Sequence, residues 1–493
     1  MELKVRLLNW SAGIPVAMLN LKTAEKMGIH KNDRVSIEKL SKRDGEFSTI
    51  VDLVGKIVKE DELGISSEVK DLFNLRNKQK VDVNIAKIPR SLNFIKNKLN
   101  GKKLSKDQIN EIIFDIVNNS LSEAEVALFI SATYSKGMDF KETVSLIKAI
   151  INSGKKISFK NKFVADKHCI GGIPGNRTTP IVVSICAAGG LTMPKTSSKA
   201  ITSAAGTADV IGAIAQIDFS IKELRRIVEK TGACMAWGGT LGMVTADDKM
   251  IQIEKMLKID PKSQLLASIM SKKIAVGSKY LLIDIPYGNG AKVDLAKARV
   301  LKKDFEKLAK YFKIKLRVVL TKGDEPVGNG IGPILELIDV IKVLNPSEKG
   351  PEDLEKKSLY LSGQILEMTG KAKAGKGFEK AKEILDSGMA FAKFLEIIKA
   401  QKGSIKNMRL GKFKKEIFVK SPSKIIGIDN LKINSLARLA GCPVDNSSGL
   451  YLHVHLGDKL RKKDKLLTIY AESKPRLKEA MRYYLKEKPI KFK

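Results

Sequence analysis

Apolar residues recur with different periods in successive parts of the chain. Over residues 1–86 they alternate with polar ones, as in Leu3-Lys4-Val5-Arg6-Leu7, Arg34-Val35-Ser36-Ile37-Glu38 and Thr49-Ile50-Val51-Asp52-Leu53-Val54. A period of two puts successive side chains on opposite faces of a strand. The stretch therefore reads as a β-rich N-terminal domain, a barrel if its sheet closes, with one helical piece at 22–27. Nothing in it looks catalytic, so packing or assembly is its expected role. Over 87–160 the period becomes helical. Ser105-Lys106-Asp107-Gln108 has the form of a capping box ahead of Ile109, Ile112, Ile113 and Ile116. Ser122 with Glu125 opens a second helix through Val126, Phe129 and Ile130, and a third runs over about 140–151 to Asn152-Ser153-Gly154. These predict a helical domain, with room to recruit later helices.

From 161 to 420 strand-like runs alternate with helical ones, and glycine stands at the strand exits. Strands are expected at 163–166, 281–285 and 315–320, the last two followed by Tyr287-Gly288-Asn289-Gly290 and Gly328-Asn329-Gly330. This is the pattern of an α/β domain with a parallel or mixed sheet, whose ligand site lies at the carboxyl ends of its strands. Beyond 421 short strands and a final helix at 476–487 predict a C-terminal α+β domain. The fold class is thus α/β and α+β, multidomain.

The first strand exit is the most informative. Lys167-His168-Cys169-Ile170-Gly171-Gly172-Ile173-Pro174-Gly175-Asn176-Arg177 precedes Thr178-Thr179-Pro180 and an apolar run at 181–188. Strand, glycine-rich turn and helix start turn backbone N–H groups and positive potential towards one point, which suits a phosphate. Some twenty residues on, 195–209 carries six hydroxyls and two lysines with few large apolar residues. It reads as the other wall of an anion pocket.

Composition narrows the classes. The net charge is +35, yet the lysines are spread along the chain and only 6% of residues are aromatic. No nucleic-acid recognition module is visible, so a solvated surface around a local phosphate site is the expectation, with no nucleic-acid partner. Cys169, Cys186, Cys234 and Cys442 form no CxxC pair, which argues against a metal or disulfide framework and fits a reducing cytoplasm. The longest uncharged run, 178–194, is broken by Gly189-Gly190 and is too short to span a bilayer.

Further residues carry candidate chemistry. Ser268 and Lys272 lie four apart on a predicted helix and share a face, presenting a hydroxyl and an ammonium together. Lys292 follows a glycine turn at a strand exit, where a cation reaches a ligand above the sheet or is simply solvated. Asp260, before Pro261, either caps the following helix or donates a proton, the latter requiring burial or a neighbouring phosphate to raise its pKa. His453 and His455 share a strand face, but no third metal ligand is evident.

Together, 167–177, 197–209, Asp260-Pro261, 268–272 and Lys292 resemble the archaeal-type AMP phosphorylase branch of the thymidine (pyrimidine-nucleoside) phosphorylase family. The resemblance covers nearly the whole chain, including Leu436-Ala437-Arg438-Leu439-Ala440-Gly441-Cys442-Pro443. It implies phosphorolysis of AMP, with CMP and UMP as further candidate substrates, by orthophosphate to free base and ribose 1,5-bisphosphate in nucleotide degradation. It also implies a homodimer or larger homo-oligomer. By resemblance Gly172, Ser198, Lys199, Ala200, Ile201, Thr202, Ser203, Thr207, Ser268 and Lys292 contact the substrates, Lys272 adding a cation, and Asp260 is the proton donor. Since cations, hydroxyls and N–H groups can hold both anions, no metal or other cofactor is expected. Family members typically carry Arg where Lys199 stands, and an Arg near Gln252 is absent; both bear on affinity. An anthranilate phosphoribosyltransferase-like enzyme, with Asp247-Asp248 as metal carboxylates, a pyrimidine-nucleoside phosphorylase and a basic nucleic-acid-binding protein are the alternatives.

Overall fold

A computed structural model describes residues 1–8, 10–11, 15–40, 46–200, 203–406 and 408–493. The chain divides into two compact units, 1–153 with 245–267, and 154–244 with 268–493.

In the first unit the alternating segments become six strands: β1 (Glu2–Leu7), β2 (Val16–Asn20), β3 (Arg34–Lys39), β4 (Glu46–Val54), β5 (Glu62–Ile65) and β6 (Lys80–Ile85). They close in the order β1-β5-β2-β4-β3-β6, so Leu3, Val5, Val35, Ile37, Val81 and Val83 all turn inward and are buried. Closure removes the unpaired edges that an open sheet would expose. Two short helices attend the barrel, α1 (Leu21–Met27) and α2 (Ser67–Phe73); the second was not expected from the pattern. The helical layer that follows holds α3 (Ser91–Leu99), α4 (Lys106–Val117), α5 (Glu123–Lys136) and α6 (Phe140–Asn152). Ser105/Gln108, Ser122/Glu125 and Asp139/Glu142 form capping boxes at the starts of α4, α5 and α6. Ile109, Ile112, Ile113 and Ile116 form the buried face of α4, each contributing about 1.5–3 kcal/mol. A buried ion pair, Lys98 Nζ to Glu142 Oε1 at 2.7 Å, ties α3 to α6.

The second unit is built on parallel strands: β7 (Ala165–Cys169), then α7 (Thr178–Ala188), β8 (Met193–Ser197), α8 (Thr207–Gly212), α9 (Ile221–Thr231) and β9 (Ala233–Trp237). The chain then gives α10 (Thr245–Leu257) to the first unit, where it packs on α4 and α5. Asp247 and Asp248 lie in the first turn of α10, where carboxylates favour the positive end of a helix. After α11 (Lys262–Ala275) come β10 (Tyr280–Tyr287), α12 (Leu295–Tyr311) and β11 (Lys315–Lys322). Strand β10 pairs in parallel with both β7 and β11, and β8 with β9. Ala165 N to Thr192 O (2.9 Å) and Thr192 N to Phe163 O (3.1 Å) connect the two groups beside β7. The order is thus β11-β10-β7-β8-β9, parallel throughout where a mixed sheet was one expectation. Antiparallel pairing among the described residues of this unit is confined to two later sheets, one containing β12 (Gly330–Ile331) and Phe413–Phe418, the other built on Ser423–Ile428. Helices α13 (Pro333–Leu344) and α14 (Glu352–Met368) share one buried apolar core with α7 and the sheet.

Among the described residues no helix is long and apolar enough to cross a membrane.

Candidate active site

In the order β11-β10-β7-β8-β9 the chain runs outward in one direction from β7 through β8 to β9, and in the other from β10 to β11. The reversal lies between β7 and β10, and the loops leaving a doubly wound sheet there diverge to form a crevice. Two of the predicted elements occupy it. The loop after β7 takes positive φ at Gly171, Gly172 and Gly175 (89°, 96° and 74°). The loop after β10 carries Lys292. A Cβ added to Gly172 would fall 2.9 Å from Lys292 N and 3.0 Å from its Cβ. Glycine is therefore required at 172 by both backbone sign and space, and the absent side chain lets Lys292 sit against the turn.

The second wall begins later than expected. Lys195 and Thr196 belong to β8, and the loop proper begins at Ser198. The two lysines assigned to it consequently differ. Lys195 is buried, its Nζ 2.9 Å from Lys167 O and 3.4 Å from Asp166 Oδ1. Lys199 is exposed and lies 3.9 Å above the Trp237 ring at the end of β9, a cation–π contact worth about 0.5–1 kcal/mol at such a site. The loop folds back so closely that Ser198 O and Ala200 N stand over Gly206. Asp209 Oδ2 fixes the fold, accepting from Ala200 N at 2.6 Å and Gly206 N at 2.8 Å. Ser203 Oγ donates to Ala205 O (3.2 Å), and Ala204 N donates to Asn434 Oδ1 (3.1 Å). Ser198 is exposed and Ala200 half-buried, whereas Ser197 Oγ is buried without a hydrogen-bond partner among the described residues. Ile201 and Thr202 lie outside the described residues.

Arg177 joins the two walls. Its Nε donates to Glu336 Oε2 (2.6 Å), Nη1 to Thr207 Oγ1 (2.8 Å) and Nη2 to Ala205 O (2.8 Å). Thr207, at the start of α8, is buried. Burial pushes the Glu336 carboxyl up to about 7, against the pull of Arg177 and the Gly332 N–H.

Below the strand ends lies a cluster of buried charge. Lys273 Nζ is 2.7 Å from Asp166 Oδ2, and Lys167 Nζ donates to Thr178 Oγ1 at 2.7 Å. Asp284 accepts from Thr321 Oγ1 (2.6 Å) and lies 3.3 Å from Lys357 Nζ. Loss of hydration lowers the Lys167 pKa, an effect that the Cys169 and Asp284 charges oppose. His168 is held well below the usual imidazole range, first by burial and then by Lys273, Lys195, Lys272 and Lys167. It is a neutral group in a field of cations. On α11, Lys272 Nζ is 3.3 Å from Ser268 Oγ, the pairing that the four-residue spacing predicted. Asp260 precedes α11, belongs to the first unit and is exposed, so the protein does not desolvate it as one expectation required. His453 and His455 have other partners: Thr468 Oγ1 for the first, Glu325 and Asn329 for the second.

The sequence reading missed Arg177, Glu336, Trp237 and His168 as site elements. Gly-Thr-Ala-Asp over 206–209 was the one local clue to the Asp209 cap, since an acid three residues after a helix start commonly closes it. Nothing near Glu336 marks it as a partner of Arg177, 159 residues earlier.

Residues 92–154 match the Glycosyl transferase family, helical bundle domain, and residues 424–491 the Pyrimidine nucleoside phosphorylase C-terminal domain. AMP phosphorylase of Pyrococcus furiosus is 42% identical, the alignment covering 99% of this chain and 97% of that one. The Thermococcus kodakarensis enzyme of the same name is also 42% identical, over 100% and 98%. That of Methanococcus aeolicus is 38% identical, over 99% and 97%. In fold, the crystal structure of anthranilate phosphoribosyltransferase from Thermus thermophilus superposes with a TM-score of 0.52 at 17% identity, covering 63% of this chain and 99% of that one. With relatives this similar over their full length, the chain belongs to the AMP phosphorylase family.

Proposed function

We propose that the protein catalyses phosphorolysis of AMP, and of CMP and UMP as further substrates, giving free base and ribose 1,5-bisphosphate. The observation that carries this reading is the crevice at the strand-order reversal, where Lys292 abuts the Gly172 turn and the hydroxyl-rich 198–206 loop is fixed by Asp209. Such a site presents N–H groups, hydroxyls and ammonium groups to anions, and the reaction brings two phosphate-bearing reactants together. An orthophosphate oxygen bonds to C1′ as the C1′–N bond of the nucleotide breaks, with positive charge developing on the ribose. The electron pair of that bond leaves with the base, which takes a proton. Asp260 is assigned as its donor. Gly172, Ser198, Lys199, Ala200, Ile201, Thr202, Ser203, Thr207, Ser268, Lys272 and Lys292 are assigned to binding. No metal is required by this scheme, because side-chain cations and backbone N–H groups bear the charge.

The test is incubation with AMP and orthophosphate in EDTA, with assay of adenine and ribose 1,5-bisphosphate, beside adenosine, thymidine, CMP and UMP. Phosphate-dependent release from AMP but not adenosine is expected. Asp260→Asn should lower kcat by about 10²–10⁴-fold, the usual contribution of a general acid. Activity confined to Mg²⁺ and a diphosphate sugar would replace the reading with a phosphoribosyltransferase one.

A further inference from the structure

An arginine at the end of a glycine-rich turn, ahead of a helix, invites the role of phosphate ligand. Here the geometry argues otherwise. Each of the three guanidinium nitrogens has a protein acceptor within 2.8 Å: Glu336 Oε2, Thr207 Oγ1 and Ala205 O. Glu336 in turn is buried at the start of α13, and its other oxygen accepts from Gly332 N at 3.1 Å. A carboxylate fixed by the core thus fixes a planar cation, and the cation fixes two points on the far loop. These points matter. Ala205 immediately precedes Gly206 and Thr207 opens α8, so both flank the residue whose N–H and Cα stand under Ser198, Lys199 and Ala200.

We propose that Arg177, anchored by Glu336, is the positioning residue that sets the separation of two anion-binding segments, 170–177 and the loop arms 198–200 and 203–206. It does not itself bind a substrate phosphate. The proposal deepens the assigned function and rests on it for the identity of the anions. A lysine cannot replace this brace, because one ammonium cannot reach three acceptors arranged around a planar fork. With the brace removed, the loop must be ordered by the substrate itself, and that shows in KM before it shows in kcat.

The experiment uses Arg177→Met, Arg177→Lys, Glu336→Gln, Glu336→Leu and the double variant Arg177→Met/Glu336→Leu. Two readouts are taken: steady-state kinetics with AMP and orthophosphate, and the rise in Tm produced by inorganic phosphate alone. For Arg177→Met and Arg177→Lys, KM for both substrates should rise about ten-fold or more, with kcat falling less. Glu336→Gln keeps an oxygen acceptor for the guanidinium but loses the charge and turns an NH₂ towards Gly332 N, so its KM should rise less than that of Glu336→Leu, which behaves as Arg177→Met. The double variant should be no worse than either single one, since both remove the same brace. Should Arg177→Met fail to fold, Glu336→Leu leaves the arginine in place but removes its anchor and should still raise KM. A folded Arg177→Met enzyme with unchanged KM for both substrates, or with loss in kcat alone, overturns the proposal. So do additive losses in the double variant. If the parent releases no base from AMP, the assigned function fails, and the phosphate-induced Tm shift then decides the brace. That shift should be present in the parent and at least halved in Arg177→Met; its absence from the parent, or its full retention in the variant, counts against the brace.

Discussion

Gly206→Ala isolates the contribution of loop geometry. Gly206 has φ −97° and ψ 165°, extended backbone that alanine adopts without strain, so the backbone itself is not the obstacle. Space is. A Cβ at 206 would lie 2.6 Å from Ser198 O, 2.8 Å from Ala200 N and 2.9 Å from Lys199 C. All three are backbone atoms, and none can rotate away. Restoring ordinary contact, near 3.4 Å, requires Ser198 O to retreat by about 0.8 Å. That movement pulls Ala200 N from Asp209 Oδ2, a 2.6 Å bond, at a cost of about 1 kcal/mol. Displacement of a binding loop by nearly an ångström lowers kcat/KM by up to about 10²-fold, equivalent to roughly 2.7 kcal/mol of transition-state stabilisation. The expected result is a loss of about 10–100-fold in kcat/KM for AMP. Gly212→Ala serves as the control, since there a Cβ meets only the tip of the Ile217 side chain, at 3.1 Å. A folded Gly206→Ala enzyme within about two-fold of the parent would refute the claim that this backbone fold-back holds substrate.

Two further predictions concern the first unit. Lys98→Met removes the cation that pairs with buried Glu142, leaving the carboxylate with backbone donors including Leu104 N; it should destabilise by about 3–5 kcal/mol, read as a lower thermal unfolding midpoint at unchanged pH. Lys249 donates to the Ile116 and Val117 carbonyls at the end of α4, and burial pulls its pKa down to about 8. Between that value and the unfolded one the unfolded chain binds more protons, so this group's contribution to stability rises with pH, by at most about 3 kcal/mol between about pH 8 and 10.4. A midpoint difference between parent and Lys249→Met that stays constant over that range would show the reasoning to be wrong.

The legible parts of the sequence were those governed by local chemistry. Ser105 and Ser122 sit where helix N–H groups need acceptors, and both helices begin there. The glycines of 171–175 announced a positive-φ turn, and the Ser268–Lys272 pair followed from helical spacing. Elsewhere local composition misled. Lys195 and Thr196 look like loop residues because they are polar, yet β8 runs through them, Lys195 being satisfied by Asp166 and a backbone carbonyl from β7. The Arg177–Glu336 pair was out of reach for a different reason: its partners meet only after the sheet has brought α13 beside the first loop. The parallel strand order set the reversal point, and no local pattern fixes which strands pair.

The buried charges around β7 do not balance. Lys195 and Lys273 gather about the single carboxylate of Asp166, while Lys167 and Lys357 lie in the field of Asp284. Burial pulls the Lys273 pKa down to about 7 and lowers that of Lys167, so crowding these ammonium groups is an electrostatic load on the fold, which an anion bound as proposed would offset. By mass action a ligand at about a hundred times its Kd adds about 2.7 kcal/mol to the folding equilibrium. That is a sizeable share of a margin of about 5–15 kcal/mol in an ordinary domain. On the proposed function, phosphate supply and survival of the fold are linked quantities: less phosphate means a larger opened fraction and more frequent encounters with a protease.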